Sequence, residues 1–256
     1  MSSSEPAPVR EADAFLQTLA SVPPDAVTAC RGWTAHELIA HLASGADALA
    51  DQVEAHLQGR PVPEFGAWQV REPPYRAMDD GALRRRLEAA EARMTTAFRA
   101  ALTIDPDLTV PAVGWGLPIV ELDTHLRQEF AIHRWDLTGD DEIGVELLGR
   151  PALLSHSVRL LSDSLLRVGL ERDPEPGEPL TVRLRCAGAP DLLLAVRDGV
   201  GALSLETPAD CADVVESDPA ARLLLLWGRR PADSRRVRSN LSPQRLARVQ
   251  TILAGY

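Results

Sequence analysis

Cysteine is scarce in this sequence, and its few cysteines lie far apart. The 256 residues contain three of them, Cys30, Cys186 and Cys211, and no two form a CxxC pair. An odd number without paired spacing excludes a disulfide framework and a cysteine-rich zinc site. The pattern fits a protein of the reducing cytoplasm.

Positive charge and long apolar runs are also lacking. With 27 Lys and Arg against 37 Asp and Glu, the net charge is −10, and nucleic-acid binding would need clustered cations. No segment approaches the ~20 apolar residues of a membrane span. The N-terminal stretch MSSSEPAPVREAD has no apolar signal core. We therefore expect a cytoplasmic protein that binds neither nucleic acid nor membrane.

The sequence does contain enough apolar residues, 45%, to build one large domain or two of ordinary size. Its first two-thirds has helical periodicity, and four long helices joined by loops predict an antiparallel bundle. The predicted helices, with a fifth after the bundle, cover residues 8–20, 34–59, 80–102, 118–137 and 150–169. Thr34 and Glu37 form a capping-box pattern at the start of the second helix.

The last third of the chain has a different character. The stretch ERDPEPGEP at 171–179 has linker composition, and short alternating runs after it predict strands. These strands are expected in LTVRLRCAG, DLLLAVRDG, GALSLETPA and ADVVES, with helices at about 219–228 and 242–254. The predicted fold class is α+β, with a helical domain over residues 1–172 and a small α+β domain over 178–256.

The last bundle helix carries candidate metal ligands in the stretch HLRQEFAIHRWDL. Glu129 and His133 are four residues apart, so on a helix they lie roughly 5–6 Å apart on one face and could chelate one cation. Zinc in a catalytic site takes three protein ligands and leaves one position open. His41, near the apolar stripe of the second helix, is the leading third ligand, and His125 is the alternative.

Structural roles stay open for these residues at this point. Glu129 and His133 could form an exposed pair along a helix, and His41 could be a buried core histidine. Asp136 could hold His133 from behind, or it could be a surface or capping residue. The stretch HELIAH at 36–41 is not the HExxH zinc motif, because its histidines point about 140° apart around a helix.

Three motifs in order, GWTAHELIAHL, EFAIHRWDLTG and DPAARLLLLWGRRP, resemble the mycothiol-dependent maleylpyruvate isomerase family of actinobacteria. The resemblance spans nearly the whole chain. It implies a DinB-like metal-binding bundle followed by a domain similar to sterol-carrier proteins. It also implies that His41, Glu129 and His133 are the zinc ligands, which leaves His125 as an outer or pocket residue.

The third motif matches the family's arginine-bearing segment at Arg229 and Arg230. The resemblance implies that at least one of them acts in catalysis by binding a substrate carboxylate, which the planar guanidinium fork suits. A cap on the C-terminal end of the preceding helix is the alternative role for both.

The resemblance also implies the chemistry. No cysteine of the chain has an evident base beside it, whereas a metal with a vacant position can take up a thiol from solution and stabilise its thiolate. The expected thiol is mycothiol. The expected reaction is cis–trans isomerisation of an activated double bond, or transfer of the thiol to a small electrophile, of which maleylpyruvate is one candidate. We expect a monomer or a homodimer.

Two other functions stay open from the sequence. One is a non-catalytic protein whose C-terminal domain binds an apolar ligand, with a wide cavity in residues 180–256 and no solvent path to the metal. The other is a non-haem iron enzyme, because two histidines and one carboxylate also bind iron. The identity of the bound metal distinguishes the iron enzyme from the zinc enzyme.

Overall fold

The structure, a computed structural model, describes residues 10–112, 115–205 and 211–253. The chain folds into two compact units, residues 1–138 and 139–256. The first unit is helical with one β-hairpin, and the second combines helices with a sheet. The predicted α+β class is therefore confirmed. No described helix is both long and apolar enough to cross a bilayer.

Three helices of 20 to 25 residues and one of nine make up most of the first unit, where the sequence predicts four long helices. The helices of this unit are α1 (Glu11–Leu19), α2 (Ala35–Leu57), α3 (Trp68–Arg71), α4 (Pro73–Arg76), α5 (Asp80–Ile104) and α6 (Ile119–Thr138). α2 packs against α5, and α1 packs against α6, where Phe15 and Phe130 meet edge to face with ring centroids 5.6 Å apart. The apolar periodicity read from the sequence buries one face of each helix in this core.

The N-terminal end of α2 is fixed by the predicted capping box. The Glu37 backbone N–H donates to Thr34 Oγ1, and the Thr34 backbone N–H donates to the Glu37 carboxylate at 2.8 Å. Both bonds satisfy backbone donors that the first helical turn leaves without partners. α2 therefore begins at a defined residue, which sets the position of every side chain along it.

Two segments predicted as loops contain secondary structure. The short helices α3 and α4 lie in the proline-containing stretch between α2 and α5. β1 (Thr109–Ala112) pairs antiparallel with β2 (Trp115–Pro118), so Pro118 ends a strand and α6 begins at Ile119. Strands this short, with a proline in each, give no alternating pattern from which they could be predicted.

Along the chain of the second unit, helices lie before, between and after the strands. They are α7 (Glu142–Leu148), α8 (Pro151–Leu160), a π-helical turn (Leu161–Leu165), α9 (Leu166–Leu170), α10 (Pro219–Leu226) and α11 (Pro243–Leu253). At the start of α10, the Asp218 carboxylate accepts from the Ala221 backbone N–H at 3.0 Å, which confirms the predicted cap. α7 is not predicted, although Asp141 caps it in the same way by accepting from Gly144.

A five-stranded sheet of order β5-β4-β3-β6-β7 completes the second unit. Its strands are β3 (Leu180–Cys186), β4 (Leu192–Arg197), β5 (Val200–Ser204), β6 (Val214–Ser217) and β7 (Val237–Ser239). The first three form the predicted antiparallel meander, and β6 joins β3 in parallel. The three-residue strand β7 is too short to have been predicted from its pattern.

The segment 171–179, predicted as a linker between domains, is fixed inside the second unit. Arg248 of α11 donates from Nε to Asp173 Oδ1 at 2.8 Å and from Nη2 to the Glu178 carbonyl at 2.6 Å. α9, which precedes this segment, packs against α11 and β5. These contacts join residues 171–179 to the second compact unit, which begins at residue 139, and the domain bounds 1–172 and 178–256 stay a prediction.

Candidate metal centre

α2 and α6 bring His41, Glu129 and His133 together. Glu129 Oε2 lies 3.5 Å from His41 Nε2 and 3.4 Å from His133 Nε2. One ligand atom from each residue lies within 4.8 Å of the other two. The pair on α6 follows from its four-residue spacing, and His41 faces it from α2 with its ring centroid 5.3 Å from that of His133.

Each histidine is held from behind by a buried carboxylate. His41 Nδ1 lies 2.7 Å from Glu72 Oε1, and His133 Nδ1 lies 2.8 Å from Asp136 Oδ2. An ionised carboxylate only accepts hydrogen bonds, so each Nδ1 carries a proton. Each Nε2 faces Glu129: it donates a hydrogen bond there when the ring is protonated and offers its lone pair to a metal when the ring is neutral. This arrangement of an outer carboxylate behind a histidine is typical of metal ligands. Asp136 thus makes the contact expected of a residue that holds His133 from behind, which is one of the two roles left open by the sequence.

Arg76 fixes the outer carboxylate of Glu72. It donates to Glu72 Oε2 from Nη2 at 2.8 Å and to Glu37 Oε1 from Nη1 at 2.7 Å. The α2 capping box, through Glu37, is therefore tied to the carboxylate that orients His41. Sequence reasoning missed Glu72 and Arg76 because both lie in a stretch without helical or strand periodicity.

The site stabilises positive charge at its centre. Burial disfavours the charged carboxylate of Glu129, but hydrogen bonds and charge from the histidines outweigh this and hold its pKa well below the usual range. Burial likewise disfavours the His133 imidazolium, yet Asp136 and Glu129 raise the pKa of His133 to about 9. A proton on His133 occupies the lone pair that a metal would use, so a metal and this proton compete for the site.

His125 lies next to the trio without being part of it. Its side chain is buried, and burial lowers the pKa of His125 against the raising effect of Glu129. His125 precedes Glu129 by four residues on α6, so it lies one helical turn from that side chain. The role of His125 as an outer or pocket residue, which the family resemblance implies, stays a prediction.

The trio is partly exposed and has aromatic neighbours. The side chains of His41 and Glu129 keep 22% and 20% of their surface exposed. The Trp33 ring lies 5.1 Å from the His41 ring, and Trp68 lies 6.3 Å beyond Trp33. A partly exposed trio agrees poorly with a purely structural metal site, which is closed to solvent.

The two arginines predicted to be catalytic lie in the second unit, after α10. Arg229 donates from Nη1 to the Trp227 carbonyl at 3.0 Å, at the C-terminal end of that helix. Arg230 is exposed and donates to Gln250 Oε1. The contact of Arg229 matches the capping alternative, and the predicted catalytic role of both arginines stays a prediction.

The donor set fits a divalent ion such as zinc. Tetrahedral coordination with bonds of about 2.0–2.1 Å separates neighbouring N and O ligands by roughly 3.3–3.4 Å, and the two measured separations are 3.4 and 3.5 Å. Two imidazole nitrogens and one carboxylate oxygen also leave coordination positions open. Fold and site together define a class: helical-bundle proteins with a two-histidine, one-carboxylate centre.

Comparison with known proteins identifies the family within this class. Residues 7–138 match the family described as the mycothiol maleylpyruvate isomerase N-terminal domain, and the chain belongs to this family. The matched region contains all three residues of the trio and both outer carboxylates.

Two solved structures resemble this chain in fold over 91% of its length. A crystal structure of the mycothiol-dependent maleylpyruvate isomerase is 20% identical with a TM-score of 0.64, and it covers 91% of each chain. A histidine-to-alanine mutant of that isomerase is 19% identical with a TM-score of 0.63 and the same coverage. No curated protein matches this chain.

Proposed function

We propose that this protein is a divalent-metal-dependent enzyme that uses mycothiol to isomerise, or to conjugate, a small electrophile. Zinc is the proposed metal, and maleylpyruvate is one candidate substrate. The observation that carries the proposal is the convergence of His41 Nε2 and His133 Nε2 on the Glu129 carboxylate. Membership of the family supports mycothiol as the thiol.

His41, Glu129 and His133 would hold the metal. When bound, the metal supplies a positive charge that lowers the pKa of a thiol and raises the fraction present as thiolate. The chain's own contribution is orientation. Glu72 and Asp136 keep the two Nδ1 protons in place, which fixes both imidazole rings with Nε2 toward Glu129.

The proposed isomerisation needs no net change of bonds. The thiolate sulfur adds to one carbon of a cis double bond, and the π electrons move to the conjugated carbonyl oxygen. The remaining carbon–carbon single bond rotates, and elimination of the thiolate restores the double bond in the trans form. If the adduct instead takes a proton on carbon and leaves, the product is a thioether, which is the transferase outcome.

The remaining features are proposed with this function. Residues 178–256 are proposed as the sterol-carrier-like domain, and Arg229 and Arg230 as contributors to substrate binding. None of the three cysteines is in a disulfide, which agrees with the proposed cytoplasmic location, where thiols stay reduced. A monomer or a homodimer would suffice.

Metal analysis combined with a mycothiol titration tests the proposal. Wild type is expected to retain one equivalent of zinc and to bind mycothiol, and His133→Ala is expected to lose both. The matched control is His56→Ala, because His56 is a half-exposed histidine of α2 that pairs with Asp105. Tight mycothiol binding by metal-free protein would contradict the mechanism. Retention of iron with oxygen-dependent turnover would favour the iron enzyme instead.

A further inference from the structure

Arg71, the last residue of α3, carries a guanidinium without a carboxylate partner. Nη1 donates to the Gly66 carbonyl at 3.2 Å, and the group stacks on Phe65 at 4.4 Å from the ring centroid. Nε is buried and has no hydrogen-bond partner. Within the described parts of the chain, Arg71 forms no ion pair. A guanidinium that is partly removed from water and has a donor without an acceptor is unfavourable unless an anion accepts its hydrogen bonds.

Arg76, five residues later in the sequence, shows the contrast. Its guanidinium is committed to Glu37 and Glu72 through ion pairs of 2.7 and 2.8 Å. The two arginines share the same short segment, yet only one is neutralised by protein carboxylates. Arg71 is not simply a solvated charge on the protein surface, because its Nε atom is buried.

The Arg71 guanidinium lies beside the candidate metal centre. It interacts electrostatically with Glu129 as well as with its neighbour Glu72. Nη2 lies 3.8 Å from the position that a Cβ of Gly45 would occupy. Gly45 follows His41 by one turn on the same face of α2, which is a rise of about 6 Å. The Arg71 guanidinium therefore lies in contact range of the face of α2 that carries His41 one turn away.

We propose that Arg71 binds a carboxylate of the electrophilic substrate, so that the reacting double bond lies over the His41, Glu129 and His133 trio. This inference rests on the proposed function. Because Arg71 contacts α2 at Gly45, about 6 Å along the helix from His41, the arrangement favours a small carboxylic acid whose carboxylate is only a few atoms from the electrophilic carbon. The planar fork of arginine binds a carboxylate through two parallel hydrogen bonds.

Binding of an unreactive pair of probes tests the assignment without turnover. Levulinate carries a carboxylate and a ketone, and methyl levulinate has the same skeleton without the charge. By calorimetry on the zinc-loaded full chain, wild type is expected to prefer levulinate. Arg71→Gln is expected to weaken levulinate binding about 10- to 100-fold, the range for a charge-assisted hydrogen bond, and to leave the ester unchanged. Arg71→Lys is expected to be intermediate.

The matched control is Arg85→Gln, an exposed arginine on α5, which is expected to bind both probes as wild type does. The inference would be overturned if Arg71→Gln bound levulinate as tightly as wild type does while the zinc content of both proteins was unchanged. This result would leave the proposed function intact. The ratio of levulinate to ester affinity removes any general loss of folded protein from the comparison.

A turnover assay separates the two levels of failure. cis-4-Oxopent-2-enoate and its methyl ester both have an activated cis double bond, and mycothiol-dependent isomerisation is followed by absorbance. Arg71→Gln is expected to lower kcat/KM for the acid about 10- to 100-fold relative to the ester. Wild type that isomerises acid and ester equally, with Arg71→Gln unchanged, overturns the inference alone. Wild type that holds neither metal nor mycothiol overturns the proposed function.

Discussion

Two charge clusters of this chain differ in what completes them. In the second unit, Arg248 meets Asp173, and their side chains keep only 1% and 2% of their surface exposed. In the first unit, Glu129 faces His41 and His133, which balance its charge only when they bind a proton or a metal ion. The first cluster is complete within the protein and stabilises the fold. The second would be completed by the proposed metal ion, and this would distinguish a binding site from a structural ion pair.

Removing the central carboxylate should have the largest effect. Glu129→Gln keeps the size of the side chain but removes the charge toward which both Nε2 atoms point. We expect zinc retention after gel filtration to fall from one equivalent to background. Removal of a residue that only hydrogen-bonds to a metal ligand typically weakens metal binding about 10- to 100-fold, and removal of a ligand itself weakens it more.

His125→Ala is the comparison for Glu129→Gln, because His125 lies one turn away on the same helix. It should reduce zinc retention less. If His125→Ala reduced zinc retention more than Glu129→Gln did, the trio would have been assigned incorrectly. Metal content measured by elemental analysis decides between the two rankings.

Breaking the complete cluster should destabilise the fold and leave the metal site intact. Arg248→Met leaves Asp173 buried without its cation, and such a loss typically costs about 3 kcal/mol or more of unfolding free energy. Arg167→Met is the matched control, because Arg167 pairs with Glu171 in an exposed i,i+4 pair and should cost less than about 1 kcal/mol. Urea unfolding measures both, and equal losses would refute the distinction.

The same two clusters show what the sequence could and could not predict. Glu129 and His133 were predictable because four-residue spacing within one helix fixes their relative position. His41 was predictable from its place near an apolar stripe. By contrast, Asp173 and Arg248 are 75 residues apart, and composition alone made 171–179 resemble a linker. Glu72 lies in a segment without periodicity, and its contact with His41 depends on how that segment folds back over α2.

The outer carboxylate that the sequence did not predict provides a smaller test. Glu72→Gln keeps an acceptor for His41 Nδ1 but removes the negative charge behind the ring. We expect zinc affinity to fall about 10-fold, toward the lower end for outer-shell changes. Glu88→Gln, at an exposed position on α5, should not change it. Competition with a chromophoric chelator measures both variants, and an unchanged affinity for Glu72→Gln would remove Glu72 from the site.

The smallest expected effect is a pH dependence of the complete cluster. Hydrogen bonds from Arg248 hold the pKa of Asp173 below its ordinary value, against the opposing effect of burial. The folded-state pKa lies below the unfolded one, so this stabilisation is present above the unfolded pKa, near 4. It is lost as the pH falls through the folded pKa.

Wild type should therefore lose more unfolding free energy than Asp173→Asn when the pH falls from 7 to 3. This extra loss should be smaller than the loss that Arg248→Met causes at neutral pH. Asp107→Asn, at an exposed position, should follow wild type. Urea titrations at both pH values measure the gap. Parallel losses in wild type and Asp173→Asn would mean that the Asp173 carboxylate is no better stabilised in the folded chain than in the unfolded one, and the contrast between the two clusters would then rest on the metal site alone.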